Sequence, residues 1–103
     1  MTALAGEAQA VRVAKALGDP MRFRILSEIA SRGEVSVRDL LERVPIAQPT
    51  ISHHLKVLAE AGLVEARKAG ALHLYRARRE ALDDHRRLLA EVADGARAGE
   101  GTP

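Results

Sequence analysis

Residues 48–58, Gln48-Pro49-Thr50-Ile51-Ser52-His53-His54-Leu55-Lys56-Val57-Leu58, carry two kinds of side chain at helical spacing. Ile51, Leu55 and Leu58 stand at i, i+4 and i+7 and are expected to face a core. The opposite face offers Gln48, Thr50, Ser52, His53 and Lys56, with His54 at the boundary, and no acid occurs before Glu60. Ordinary solvated helix faces are laced with Glu and Lys pairs at i, i+4, and residues 48–58 hold none. A helix that enters a major groove needs this composition instead. Gln bonds adenine edges, Ser and Thr reach bases or phosphates, and Lys neutralises phosphate. Pro49 suits the first turn, where a missing N–H costs nothing, and the free amides there also suit a phosphate oxygen. Gly62 is expected to close the helix.

Upstream, Pro45-Ile46-Ala47 reads as a tight connection from a shorter helix over residues 37–44. Ser36 caps that helix, with Asp39 three residues on in the place of a capping-box Glu or Gln. Residues 34–36 are a short extended piece. Before them a helix runs from Pro20 to about Arg32, with Phe23, Leu26, Ile29 and Ala30 expected inward and Gly33 as its stop. Gly18-Asp19-Pro20 supplies a helix end, an N-cap and a first-turn proline in succession. It separates this helix from a first one over residues 3–17, whose Leu4, Ala8, Val11, Ala14 and Leu17 form an apolar stripe.

Downstream, residues 63–68 and 72–77 alternate like strands and are joined by Ala69-Gly70-Ala71, a β-hairpin. Arg67 and Lys68 precede its tip, and Arg76 and Arg78 follow it. A last helix is expected over residues 79–94, and the Gly-rich residues 95–103 are expected to be a flexible tail. The order is therefore α1 (3–17), α2 (20–32), β1 (34–36), α3 (37–44), α4 (48–61), β2 (63–68), β3 (72–77) and α5 (79–94). This is a mainly α fold with a small hairpin, the layout of a winged helix-turn-helix, with residues 1–94 as one domain.

Composition agrees with that layout. The chain has 103 residues, of which 47% are hydrophobic, too many for disorder. One Phe, one Tyr and no Trp leave the core to aliphatic residues. The absence of cysteine excludes disulfides, thiolate metal ligands and Cys nucleophiles. No apolar run approaches the length of a membrane span, and Met1–Glu7 lacks a basic stretch ahead of an apolar one. A cytoplasmic protein without membrane contact is expected. Charge is uneven along the chain. Between Arg43 and Arg79 seven Lys/Arg face two acids, a net of +5, whereas the remainder carries nine bases and twelve acids, a net of −3. The middle of the chain is thus suited to a polyanion.

Two stretches resemble the ArsR/SmtB (arsenic-repressor) family of winged-helix transcriptional regulators. Lys15-Ala16-Leu17-Gly18-Asp19-Pro20-Met21-Arg22-Phe23-Arg24-Ile25-Leu26 is similar to its N-terminal signature. Gln48 to Leu58, followed by Ala61-Gly62-Leu63-Val64, is similar to its recognition helix and wing entry, and Tyr75 to the aromatic near the end of the second wing strand. The resemblance covers roughly residues 10–80. It implies a homodimer assembled through α1 and α5 that binds double-stranded DNA at an inverted-repeat operator. The expected interface is Leu4 and Val11 on α1 with Leu82, His85, Leu89 and Val92 on α5. The four α5 positions are spaced 3-4-3, a narrow seam suited to helix pairing. The DNA-contacting set is Gln48, Thr50, Ser52, His53, His54 and Lys56 on α4, with Arg67, Lys68 and Arg76 on the wing.

Many members of that family sense metals, and here the chain departs from the pattern. The positions near Glu34–Leu40 that would carry cysteine hold Val, Ser or Arg, so thiolate sensing is excluded. A second family site joins an Asp-x-His on the last helix to two donors on the partner's last helix. Asp83-Asp84-His85 supplies the first half, whereas the second half would fall on Ala96 and Gly99. Asp83 and His85 would suit Ni(II) or Zn(II), completed by Asp84, Glu91, Asp94 or the terminal amine. His85 as a seam histidine is the alternative, which makes the regulator metal-independent. His53 and His54 point about 100° apart on a helix and make a poor chelating pair. No nucleophile–base spacing or phosphate-cradling Gly loop supports an enzyme. A winged helix that binds protein remains a further alternative, although such modules usually lose the basic wing and polar recognition face.

Overall fold

The computed structural model describes residues 3–100, with side chains from residue 6 onward. Its elements are α1 (Ala3–Leu17), α2 (Pro20–Arg32), β1 (Val35–Ser36), α3 (Val37–Arg43), α4 (Gln48–Glu60), β2 (Val64–Ala69), β3 (Leu72–Ala77) and α5 (Arg79–Glu100). The order is the expected one. No described helix is long and apolar enough to cross a membrane.

Local chemistry explains the boundaries. Asp19 Oδ1 accepts the N–H groups of Met21 and Arg22 at 2.9 and 3.0 Å, satisfying two donors of the first turn of α2. Gly33 ends that helix at φ 84°, a left-handed value that a side chain would resist. At α3 the capping box is complete with Asp in the distal role: Ser36 Oγ accepts from Asp39 N at 3.1 Å, and Asp39 Oδ2 accepts from Ser36 N at 2.9 Å. The sheet is antiparallel in the order β1-β3-β2, with Val35 opposite Tyr75 and Ala66 opposite the same residue on the other side.

The core lies where α2, α3 and α4 converge on the sheet. Ile25, Ile29, Leu40, Ile51, Leu55, Leu58 and Leu63 are fully buried. Phe23 corrects the sequence reading of α2: it is 56% exposed, Ala30 is exposed as well, and Ile25 takes the inward place. Residues two apart on a helix point about 200° from each other, so burying Ile25 turns Phe23 outward. On α1 the inward residues are Val13 and Ala16, and the stripe through Ala8, Val11 and Ala14 faces solvent.

α5 is the second correction. The helix continues through Gly95 to Glu100, where residues 95–103 were expected to form a flexible tail. Each residue added to a nucleated helix closes one more hydrogen bond. Ala93, Ala96, Arg97 and Ala98 offset the two glycines, each of which costs about 1 kcal/mol relative to Ala. Residues 101–103 lie outside the described part. At about 1.5 Å per residue the helix is about 33 Å long, and none of its residues is buried. It gives the molecule extents of 60 × 27 × 21 Å and a radius of gyration of 16.3 Å. A compact chain of this length would have a radius near 13 Å.

Candidate nucleic-acid interface

Helix α4 is held by its apolar side. Ile51, Leu55 and Leu58 are buried, and the backbone enters the helix from an extended Ala47. Ala47 supplies no side-chain cap, and its carbonyl accepts from Thr50 and Ile51 at 3.0 and 3.1 Å. On the other side Gln48, Thr50, Ser52, His53 and Lys56 are all exposed. The result is a helix whose polar face carries no carboxylate before Glu60 in its last turn, able to donate to and accept from base edges.

His54 is a correction to the expected DNA-contacting set. It is only 8% exposed and turns to the core side of α4, where Nδ1 lies 3.4 Å from a guanidinium nitrogen of Arg22. A side chain in that position cannot reach a groove that Ser52 and His53 face.

The wing stands beside the start of α4. A cleft of about 230 Å³ between them is lined by Ser36, Arg38, Gln48, Leu72 and His73, among others. Arg38 on α3 and His73 on β3 thereby join Gln48 at one surface, and neither was in the expected set. A base two residues after a cap was the only sequence signal for Arg38, and nothing in the chain order linked it to Gln48.

The wing bases are engaged to different degrees. Arg67 donates to both oxygens of Glu34, at 2.7 and 2.8 Å, and Arg76 donates to Glu65 at 2.6 Å. Glu65 and Arg76 are direct cross-strand partners, so two bases and two acids interlock on one sheet face. The Arg67 hydrogen bond holds the Glu34 carboxyl below the usual Glu range. Lys68 lies opposite His73 near the tip, exposed. Arg78 sits at the far end of the hairpin, tied to Glu80 at 2.8 Å.

The expected interface residues divide into two groups. Leu82 packs against the core and His85 is half-buried, its Nδ1 enclosed without a hydrogen-bond partner. Val11, Leu89 and Val92 are 52%, 58% and 69% exposed. The side chain of Leu4 lies outside the described part.

Among the described residues of the single chain, Asp83 and His85 are not joined by a third donor. Asp83 accepts from Arg86 at 3.0 Å and lies 3.8 Å from Arg79, both exposed arginines. His85 directs Nδ1 into the protein, and Asp84 is paired with Arg87. Among the described residues no three His, Cys, Asp or Glu side chains converge as a metal would require. Ala96 and Gly99, which a partner would contribute, have no donor atoms.

Comparisons with known proteins agree with this architecture. A family model described as a helix-turn-helix domain matches residues 17–67. The arsenical resistance operon repressor of Staphylococcus xylosus is 45% identical over 71 residues, covering 69% of this chain and 67% of that protein. Among solved structures, an ArsR-like transcriptional regulator from Rhodococcus sp. RHA1 superposes with a TM-score of 0.82 at 33% identity, covering 89% of this chain and 86% of that one. The homodimeric winged helix-turn-helix DNA-binding domain of a possible ArsR-family transcriptional regulator from Mycobacterium bovis gives a TM-score of 0.69 at 36% identity, covering 91% and 83%.

Proposed function

This chain belongs to the ArsR family of winged helix-turn-helix transcriptional regulators, and we propose that it acts in the cytoplasm as a homodimeric, metal-independent repressor of an inverted-repeat operator. The observation that carries this reading is the division of α4 into a buried apolar side and an exposed polar side without acids from Gln48 to Ala59. Gln48, Thr50 and Ser52 sit within the first turn and a half, the part of a recognition helix that approaches base edges. Lys56, Lys68 and Arg38 supply phosphate contacts that set register without reading sequence. The Staphylococcus xylosus relative is named a repressor, which supports blockage of transcription over activation.

Dimerisation rests on the exposed apolar residues of α1 and α5. Val11, Leu89 and Val92 project from helices that the single chain leaves uncovered, and a second copy would bury them. An inverted-repeat operator asks the two α4 helices of such a dimer to lie about 34 Å apart, one turn of B-DNA, or a multiple of it.

Metal independence rests on the donor set. With Asp83 and Asp84 paired to arginines and no side-chain donors at Ala96 or Gly99, a Ni(II)- or Zn(II)-responsive reading lacks the second half of its expected ligand set. Both parts are tested by fluorescence-anisotropy titration of the protein onto DNA from upstream of its own gene, against a shuffled duplex. Preference for the upstream duplex, unchanged between chelator and added Ni(II) or Zn(II), is the expected result. Equal binding to both duplexes would overturn the operator reading. A metal-dependent shift would overturn the metal-independent one.

A further inference from the structure

Arg22, on α2, touches two other helices. Its Nε donates to the carbonyl of Ala16 at 2.7 Å and one terminal nitrogen reaches the carbonyl of Lys15 at 3.4 Å, both at the C-terminal end of α1. Its other terminal nitrogen lies 3.4 Å from His54 Nδ1 on α4. Asp19 fixes the base of the arrangement by accepting the Arg22 N–H, a bond that lowers its pKa below the usual Asp range. We propose that Arg22 and His54 are positioning residues that set the rotation of the recognition helix against α1, linking the face on which a second copy docks to the face that reads DNA.

The chemistry supports a directional link. A guanidinium has five donors and no acceptor, so His54 must present a lone pair on Nδ1 and carry its proton on Nε2. Carbonyls at a helix C-terminus hold partial negative charge, which favours a cation there. Burying an imidazole among Leu55, Leu58 and Ile51 is unfavourable compared with an aliphatic side chain, so the pair contributes orientation more than stability. Ser52 and Lys56 project from the side of the helix opposite His54, and Thr50 lies about 40° from it, one turn earlier. A rotation that breaks the Arg22 contact would carry Thr50, Ser52 and Lys56 off register. The inference rests on the reading of α4 as the recognition helix.

The test compares His54→Leu, His54→Asn and Arg22→Lys with the parent chain on the upstream and shuffled duplexes. Asn places Oδ1 close to the position of Nδ1, whereas Leu keeps the volume and removes the acceptor. Lys keeps the charge but cannot bond α1 and His54 together. His54→Leu is expected to lose about tenfold in preference for the upstream duplex while its affinity for shuffled DNA changes less than about twofold. His54→Asn should recover preference to within about threefold. If His54→Leu fails to fold, Arg22→Lys carries the same expectation. Undiminished preference in the folded variants, or a parallel loss on both duplexes, would overturn the proposal. The histidine tautomer is read independently by ¹⁵N NMR of the free protein. Unprotonated Nδ1 at His54 is expected, and a proton on Nδ1 would overturn the link even if the parent chain shows no operator preference. That last outcome, taken alone, would count against the DNA reading and leave the NMR result to judge the link.

Discussion

Ser52 on α4 and Lys68 on the wing are both exposed, yet they should fail differently when removed. Ser52→Ala or Gln48→Ala removes a group suited to base edges, and each is expected to cut preference for the upstream duplex by about tenfold. Lys68→Ala should weaken binding to upstream and shuffled DNA alike and reduce the salt slope by about 1. Anisotropy titrations across a salt series separate the two patterns, and a Ser52 variant that behaved like a Lys68 variant would remove Ser52 from the reading face. Arg67 is less available than its sequence position implied, because Glu34 holds it with two hydrogen bonds. The Glu34 carboxyl is lowered by that contact, so the pair persists at neutral pH and is lost only as pH falls through the lowered value. Helical periodicity was enough to expose Gln48, Thr50, Ser52, His53 and Lys56. It could not resolve His54, which lies about 100° from His53 at the edge of both faces, because the deciding partner, Arg22, is 32 residues away in sequence.

Among the elements, the caps were the most legible features. Asp19 before Pro20, and Ser36 three residues before Asp39, make the hydrogen bonds that their types and spacing imply. Both aspartates have pKa values below the usual range, Asp39 chiefly through the N–H of Ser36 and Asp19 chiefly through the N–H of Arg22. A carboxyl lowered by folding stabilises the fold above its unfolded pKa, and that contribution disappears as pH falls through the folded value. Asp39→Asn keeps the shape and removes the charge. It is expected to lower Tm at pH 7, with the gap to the parent chain narrowing below about pH 4. Thermal unfolding followed by circular dichroism across that range reads the effect, and a gap independent of pH would contradict it. The inward side of α2 was harder to read. Phe23, Ile25, Leu26, Ile29 and Ala30 contain two overlapping apolar stripes, and only packing against α4 and the sheet selects the one through Ile25. The end of α5 is hard to read because Gly95 and Gly99 are poor helix formers set among alanines that sustain the helix.

At the scale of the whole molecule, an arm about 33 Å long with no buried residue is unusual for a chain of this size. Its seam divides between Leu82 and His85, which lie against the body of the chain, and Leu89 and Val92, which extend beyond it. A two-fold partner is the simplest way to cover Leu89, Val92 and Val11, and it would make the two copies of α4 read one operator. Hydroxyl-radical footprinting on DNA from upstream of the gene tests that claim most directly. Two protected patches related by two-fold symmetry are expected, their centres about 10 base pairs apart or a multiple of it, with loss of the paired pattern in Val92→Arg. A single patch without a symmetric mate, or protection that Val92→Arg leaves unchanged, would contradict it.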